Sequence, residues 1–201
     1  MPNSLRQNVL QWLSKQVPEN RLQHILRVEA MAVRLAQHHD LSVELAQQAG
    51  LMHDLAKCFP PQQLLSVAQA EGWSLDPAEI DFPHLLHAPV GAVVARDMFG
   101  IQNRPILAAI ANHTLGSPDM DEISGVVYLA DKLEPGRGDT PQLNQLRKLS
   151  EDNLWTAVYE TCVFSLKHLL ESRRPVHPRT ILTHNRFLPA RLRRETVSPA
   201  A

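Results

Sequence analysis

The sequence predicts an all-α fold, a single helical bundle, on three observations. Glycine is scarce, at 8 residues in 201, while leucine and alanine are abundant. That balance favours helices over a sandwich or barrel. Apolar residues recur at helical spacing along most of the chain. Proline, Asp-Pro and glycine breaks fall between these stretches, and no internal repeat or linker divides them. The length suits one domain with a substantial core and is marginal for two.

Taken in order, Asn3 or Ser4 can cap a first helix with Leu5, Val9, Trp12 and Leu13 on its apolar side, and Pro18 ends it. That side could serve a homodimer as easily as a core. Asn20 is the expected N-cap of a second helix, with Gln23 as its reciprocal partner. Ile25, Val28, Ala32 and Leu35 mark its buried stripe. Ser42 caps a third helix through Leu45, Ala49 and Met52 to His53-Asp54. Pro60-Pro61 stops that run and starts a fourth. Gly72 to Pro83 has turn chemistry. Helical patterning resumes near His87 and runs to Gly100. Pro105 to His113 opens with proline in its first turn. Ile123 to Leu133 could be read as a strand at Val126-Val127-Tyr128, but no partner strand is evident, so a buried helix is expected. Glu134-Pro135-Gly136 breaks it. Asp139 to Gln145 is weakly patterned and reads as a mobile loop. A long helix from about Ser150 to Glu171 follows, then a basic connection between Pro175 and Pro178 and a last turn of helix to Asn185.

The formal net charge is −1 and the hydrophobic fraction 44%. Neither gives an electrostatic reason for stable nucleic-acid binding or for a membrane surface. No apolar stretch is long enough to span a bilayer and no signal peptide is evident, so a cytoplasmic protein is expected. Arg186, Arg191, Arg193 and Arg194 make the end locally basic and read as a flexible, solvated tail. The two cysteines, Cys58 and Cys162, match no zinc spacing and no redox pair.

The candidates for chemistry are His24, the adjacent pair His53-Asp54, His87, His113 and Asp131, each near the middle or end of a different expected helix. His24 borders the stripe of Ile25 and Val28. Asp131 follows Val127-Tyr128-Leu129-Ala130, and His53-Asp54 follows Ala49-Gly50-Leu51-Met52. A buried carboxylate in such settings needs a metal or a charged partner, and for Asp131 the partner could equally be Lys132 or an arginine. Imidazole with carboxylate suits iron, manganese, zinc or nickel rather than calcium. Taken singly, a histidine on an apolar face is usually a hydrogen-bonded core residue, and a His-Asp pair arises often by chance. The ordered set carries the argument.

That order, His…His-Asp…Asp on separate helices, resembles the HD-domain superfamily of metal phosphohydrolases. The strings Arg21-Leu-Gln-His24, Gly50-Leu-Met-His53-Asp54-Leu-Ala-Lys57, His87-Ala-Pro-Val-Gly91, Asn112-His113-Thr114 and Leu129-Ala-Asp131-Lys-Leu-Glu134-Pro-Gly-Arg137 are similar to the YqeK family, as are Val176-His-Pro178 and Asn185. The resemblance covers about Asn20 to Asn185. It implies an HD domain over 20–185; a helix over 1–19 is expected to pack on that domain, and the basic tail at 186–201 is an addition the family core does not require.

The resemblance further implies symmetrical cleavage of diadenosine tetraphosphate (Ap4A) into two ADP, with one or two iron ions, for which manganese, nickel, zinc or cobalt could substitute. Its ligands fall on His24, His53, Asp54 and Asp131. His87 and His113 match positions that either complete a second metal site or contact phosphates, and the sequence leaves that choice open. Asp54, Lys57 and Asp131 are the implied catalytic residues. Arg21, Lys57, Thr114, Arg137, Arg174 and Arg179 match nucleotide-holding positions, although Arg21 and Lys57 could be solvated helix-end charges. Arginine suits bidentate phosphate recognition. The alternatives are an HD phosphohydrolase for another nucleotide (a monophosphate, a dNTP or an alarmone) and a nucleotide-binding sensor without turnover.

Of the other histidines, His38, His39, His168 and His184 read as surface or capping residues, His84 as a weaker candidate than His87, and His177 as a nucleotide contact. Trp12, Trp73 and Trp155 read as packing residues.

Overall fold

A proline, not a side-chain cap, sets the start of the helix that carries the first histidine. The computed structural model describes residues 3–189. Helix α1 (Asn3–Gln16) already contains Ser4, which therefore lies inside the helix and does not cap it. Pro18, extended at φ −66° and ψ 156°, is the N-cap of α2 (Glu19–His38). The expected Asn20–Gln23 box does not form, because the fixed φ of Pro18 starts the helix before Asn20. Gln23 bonds instead to Glu19 at 2.7 Å.

Most other starts follow the sequence. Ser42 caps α3 (Val43–Met52), and Pro60-Pro61 opens α4 (Pro61–Ala70). Gly100, left-handed at φ 68°, closes α6 (His87–Phe99), and Asn103 caps α7 (Arg104–Asn112), with proline in its first turn. Residues Glu122–Leu133 form α8, a helix as expected and not a strand. It is buried at every position from Ile123 to Asp131, and a helix apolar all round belongs at the centre of a core. Helix α2 packs on α3 and α8, and α7 on α3, α6 and α8.

Three stretches differ from expectation. Within Gly72–Pro83, Asp76 and Glu79 form a capping box that starts the short helix α5 (Pro77–Asp81), followed by a 3₁₀ turn over Pro83–Leu86. Asp139–Gln145 is not a loop: Thr140 caps α9 (Pro141–Asp152), which buries Leu143 and Leu146. The long helix expected from Ser150 is broken at Asn153, extended at φ −152°, whose side chain accepts from Thr156 N and caps α10 (Leu154–Glu171). The apolar spacing runs through this break, so periodicity alone does not reveal it. The last helix, α11 (Pro178–Phe187), continues beyond Asn185 and takes in Arg186. Arg191, Arg193 and Arg194 lie outside the described residues.

The α1 side chains serve the core of this chain. Val9 and Leu13 are fully buried, and Trp12 packs edge-on against Phe99 at 6.0 Å. The buried Glu29 accepts from Arg6 twice, at 2.8 Å each, and from Gln47 at 3.0 Å, which ties α1, α2 and α3 together. Gly50 lets α3 lie close on α2, since a Cβ there would stand 3.1 Å from the Ala32 Cβ and 3.2 Å from the Glu29 Cα. That close approach sets His53, three residues on, beside His24. Trp155 stacks on Phe187 at 4.8 Å. Among the described residues, no helix is long and apolar enough to cross a membrane.

Candidate metal centre

Five elements bring six residues to one point. His24 comes from the middle of α2 and Asp131 from α8. His53 and His113 are the C-caps of α3 and α7, Asp54 follows His53, and His87 is the first residue of α6. All six are buried.

The ring orientations can be assigned from the acceptors they meet. The Nδ1 atoms of His53, His87 and His113 lie 2.8, 2.6 and 2.7 Å from the carbonyl oxygens of Gly50, His84 and Ile110. The His24 Nδ1 lies 3.0 Å from Glu134 Oε1. Carbonyl and carboxylate oxygens only accept, so each Nδ1 carries a hydrogen and donates. In the neutral ring each Nε2 is then a bare lone pair, and all four Nε2 atoms face the carboxylates.

Asp54 divides the cluster. Its Oδ2 lies 3.4 Å from His53 Nε2 and 3.8 Å from His24 Nε2, while its Oδ1 lies 3.5 Å from His87 Nε2 and 3.7 Å from His113 Nε2. Asp131 Oδ1 stands 3.2 Å from His24 Nε2 and 3.9 Å from His53 Nε2. Ligand-capable atoms of His24, His53 and Asp131 fall within 4.8 Å of one another, and so do those of His53, Asp54 and His113.

Electrostatics favour lone pairs over protons on the α6–α7 side. Burial and the nearby Lys57 push His87 down to about 4. Burial and the neighbouring His53 and His87 push His113 well below the usual imidazole range. Burial would raise Asp54 and Asp131, but His53 beside the first and Lys132 beside the second outweigh it, and both stay ionised well below the carboxylate range.

The chemistry of this donor set fits a divalent metal ion. Among the described residues, His24 Nε2 and His53 Nε2 are buried polar atoms without a hydrogen-bond partner. Unpaired buried acceptors facing two carboxylates are costly unless a cation sits between them. Imidazole and carboxylate donors without thiolate suit a first-row transition metal.

A shell of cations surrounds the cluster. Arg21 donates to Asp54 Oδ2 at 3.1 Å, and Lys57 Nζ donates to His87 Nε2 at 3.2 Å. Arg137 donates to Asp131 Oδ1 at 2.6 Å and to the Asp131 carbonyl at 2.7 Å. Lys132 donates to the His113 carbonyl at 3.1 Å and lies over the Tyr128 ring at 4.6 Å. Thr114 Oγ1 lies 3.1 Å from His87 Nε2 and 3.0 Å from His113 Nε2.

A cavity of about 420 Å³ opens beside Asp131. Leu115, Leu143, Phe164 and Leu169 give it apolar walls, and Thr114, Lys132, Arg137, His168 and His177 supply polar groups. His168 is therefore a cavity residue as well as a surface one. Arg174 is exposed, and Arg179 turns its guanidinium to the Ala111 carbonyl at 3.2 Å. Neither lines the cavity. His84 is exposed and enters only through its carbonyl, which holds His87. Sequence reasoning missed Lys132 as a cavity residue, and it read Glu134 as part of a helix break and of the string around Asp131, without a role of its own. Cys58 is exposed and Cys162 buried, both free.

The family model of the HD domain matches residues 21–136, more than half of the chain. The chain belongs to the HD-domain family. It is 34% identical over 182 residues to a symmetrical bis(5′-nucleosyl)-tetraphosphatase of Bacillus subtilis, covering 90% of this chain and 96% of that one. It is 31% identical to a protein of the same description from Halalkalibacterium halodurans, covering 91% and 97%. These relatives put the chain in the YqeK family that its motifs resemble. A crystal structure from Clostridium acetobutylicum, described as a predicted HD superfamily hydrolase involved in NAD metabolism, superposes with a TM-score of 0.86 at 31% identity. It covers 90% of this chain and 96% of that one. All six inward-facing residues fall within the span 21–136 that the HD-domain model matches.

Proposed function

We propose that this chain hydrolyses Ap4A symmetrically, giving two ADP, at the His24–His53–Asp54–His87–His113–Asp131 centre. The observation that carries the reading is the meeting of that centre with one cavity, whose wall includes Asp131 itself. The near relatives described as symmetrical tetraphosphatases supply the substrate class.

His24, His53 and Asp131 would hold one ion, His87 and His113 a second, with Asp54 between them, since its two oxygens face the two groups separately. Iron is the proposed metal, with manganese, nickel, zinc or cobalt as substitutes that the same donors accept. When bound, such an ion polarises a phosphoryl oxygen and lowers the pKa of water.

The chain's own residues do the rest. The apolar walls at Leu115, Phe164 and Leu169 receive one nucleoside and exclude water from it. Lys132 and Arg137 line that cavity beside Asp131, where the polyphosphate would cross, and Arg137 has the planar fork that matches phosphate oxygens. Lys57 and Thr114 flank His87 and His113 with groups able to offset charge that develops on the phosphoryl oxygens. Arg21 steadies Asp54. The leaving ADP departs as a stable phosphate anion, so no dedicated general acid is required. Arg174 and Arg179, outside the cavity, contribute to the second nucleoside at most through their charge.

The test is Ap4A consumption by protein stripped with a chelator and then resupplied with Fe²⁺ or Mn²⁺. Activity that vanishes on stripping and returns with the metal supports the reading. Full activity in the stripped protein contradicts it.

A further inference from the structure

Three of the four inward-facing histidines are oriented by backbone carbonyls at helix ends and junctions. His53, His87 and His113 each donate from Nδ1 to the carbonyl three residues back. Such carbonyls are available at helix ends and junctions, where no N–H four residues on claims them. His24 stands in the middle of α2, where the carbonyls are committed to the helix, so its Nδ1 needs a partner from elsewhere. That partner is Glu134, just past the end of α8.

Glu134 is 1% exposed and is itself clamped. Its Oε2 accepts from Arg27 Nε at 2.5 Å and from Gly136 N at 2.5 Å. Arg27 lies three residues after His24 on α2, so one helix supplies both the histidine and the anchor of its partner. A Cβ on Gly136 would stand 2.4 Å from Arg27 Nη2, so a side chain there would have to displace the guanidinium from its present place. Arg147 holds the Glu134 carbonyl at 3.2 Å. Glu134 does not line the cavity.

We propose that Glu134 is the positioning residue of His24. Its carboxylate fixes the Nδ1–H form of the ring, aims Nε2 at the ion and makes the imidazole a stronger donor, while Arg27 and Gly136 hold the carboxylate in place. A carboxylate behind a ligand histidine acts in this way at metal sites generally. The inference rests on the cluster being a metal centre and not on which nucleotide is cleaved.

The test uses the full chain, stripped with a chelator and titrated calorimetrically with Mn²⁺. The variants are Glu134→Ala, Glu134→Gln and, as a control, Glu29→Gln, which alters another buried, arginine-held carboxylate of α2 outside the cluster. Glu134→Ala is expected to weaken Mn²⁺ binding roughly 10- to 100-fold. Glu134→Gln keeps an acceptor oxygen without the charge and should weaken it less, yet measurably. Glu29→Gln should bind Mn²⁺ within about twofold of wild type even where its melting temperature falls, because it does not touch a ligand. Nitrogen NMR should show His24 as the Nδ1–H tautomer in wild type and mixed in Glu134→Ala. Should Glu134→Ala fail to fold, the glutamine variant decides. Mn²⁺ binding by Glu134→Gln equal to wild type overturns the proposal, as does an equal loss in Glu29→Gln. A wild-type chain that takes up no metal overturns both this inference and the metal reading. Weakened Mn²⁺ binding in a protein that leaves Ap4A intact supports this inference and counts only against the substrate.

Discussion

His87 Nε2 and His113 Nε2 lie 3.2 Å apart, and each ring has already committed its Nδ1 hydrogen to a backbone carbonyl. Two bare lone pairs at that distance repel. Lys57 relieves one of them from the side, at 3.2 Å from His87 Nε2, and Asp54 Oδ1 faces both rings. An arrangement this costly in the metal-free chain becomes favourable when a cation occupies the centre.

The pH dependence of the stripped protein should carry the mark of these rings. An unfolded histidine titrates near 6.5, while His87 in the fold is pushed down to about 4 by burial and Lys57. Between those values the unfolded chain takes up a proton that the folded ring refuses. Stability is therefore fully present above pH 6.5 and falls as pH drops toward 4. His113 acts in the same direction. His53 opposes, since burial lowers it but Asp54 more than reverses that and leaves it raised. His87→Gln should remove about 3 kcal/mol of the acid loss between pH 7 and pH 4. Urea unfolding at several pH values measures it, and equal losses in variant and wild type would contradict the assignment.

Asp54→Ala and Asp131→Ala should each strip the metal and abolish turnover, because each removes the negative charge that the facing Nε2 atoms share with the ion. Elemental analysis after gel filtration, with an Ap4A assay on the same fractions, checks both. Full metal-dependent activity in either variant would sink the site assignment.

Lys57→Ala should separate charge stabilisation from metal holding. Lys57 donates to a ligand-capable histidine but has no carboxylate partner in the cluster. The expected result is a fall in kcat of about 10²-fold with metal content unchanged, the scale typical for losing one preorganised donor. A change in KM alone would assign Lys57 to ground-state binding.

Several helix starts and the inward carboxylates were legible in the sequence because their signals are local. Ser42, Pro60-Pro61 and Pro105 act on the turn they begin. Asp131 and His53-Asp54 stand out because a charge inside an apolar run is costly wherever the chain folds. The role of Glu134 was not legible, although the residue stands in the family-like string around Asp131. Its neighbours Pro135 and Gly136 read as a helix break, and its role depends on Arg27 and His24, more than a hundred residues earlier. The break at Asn153 was hidden because apolar spacing continues on both sides of it. The cavity was hidden for a third reason. Leu143, Phe164, Leu169 and Thr180 come from three helices, each ordinary within its own pattern. Arg179, a nucleotide-holding position by resemblance, donates to the Ala111 carbonyl and is not among the residues that line the cavity.

The cavity wall yields its own prediction. Leu169→Trp should fill part of the space beside Phe164 and raise KM for Ap4A about tenfold, with Mn²⁺ affinity unchanged, as expected when binding common to ground and transition states is lost. Steady-state kinetics with a parallel Mn²⁺ titration tests it. An unaltered KM would place the nucleoside elsewhere.

The most direct test of the central claim is product analysis. Metal-loaded protein is incubated with Ap4A in ¹⁸O-labelled water, and the nucleotides are separated and weighed by mass spectrometry. Symmetrical hydrolysis at this centre predicts ADP as the only product, with one ¹⁸O in half of the ADP molecules. AMP together with ATP, or Ap4A left intact by the metal-loaded protein, would contradict it.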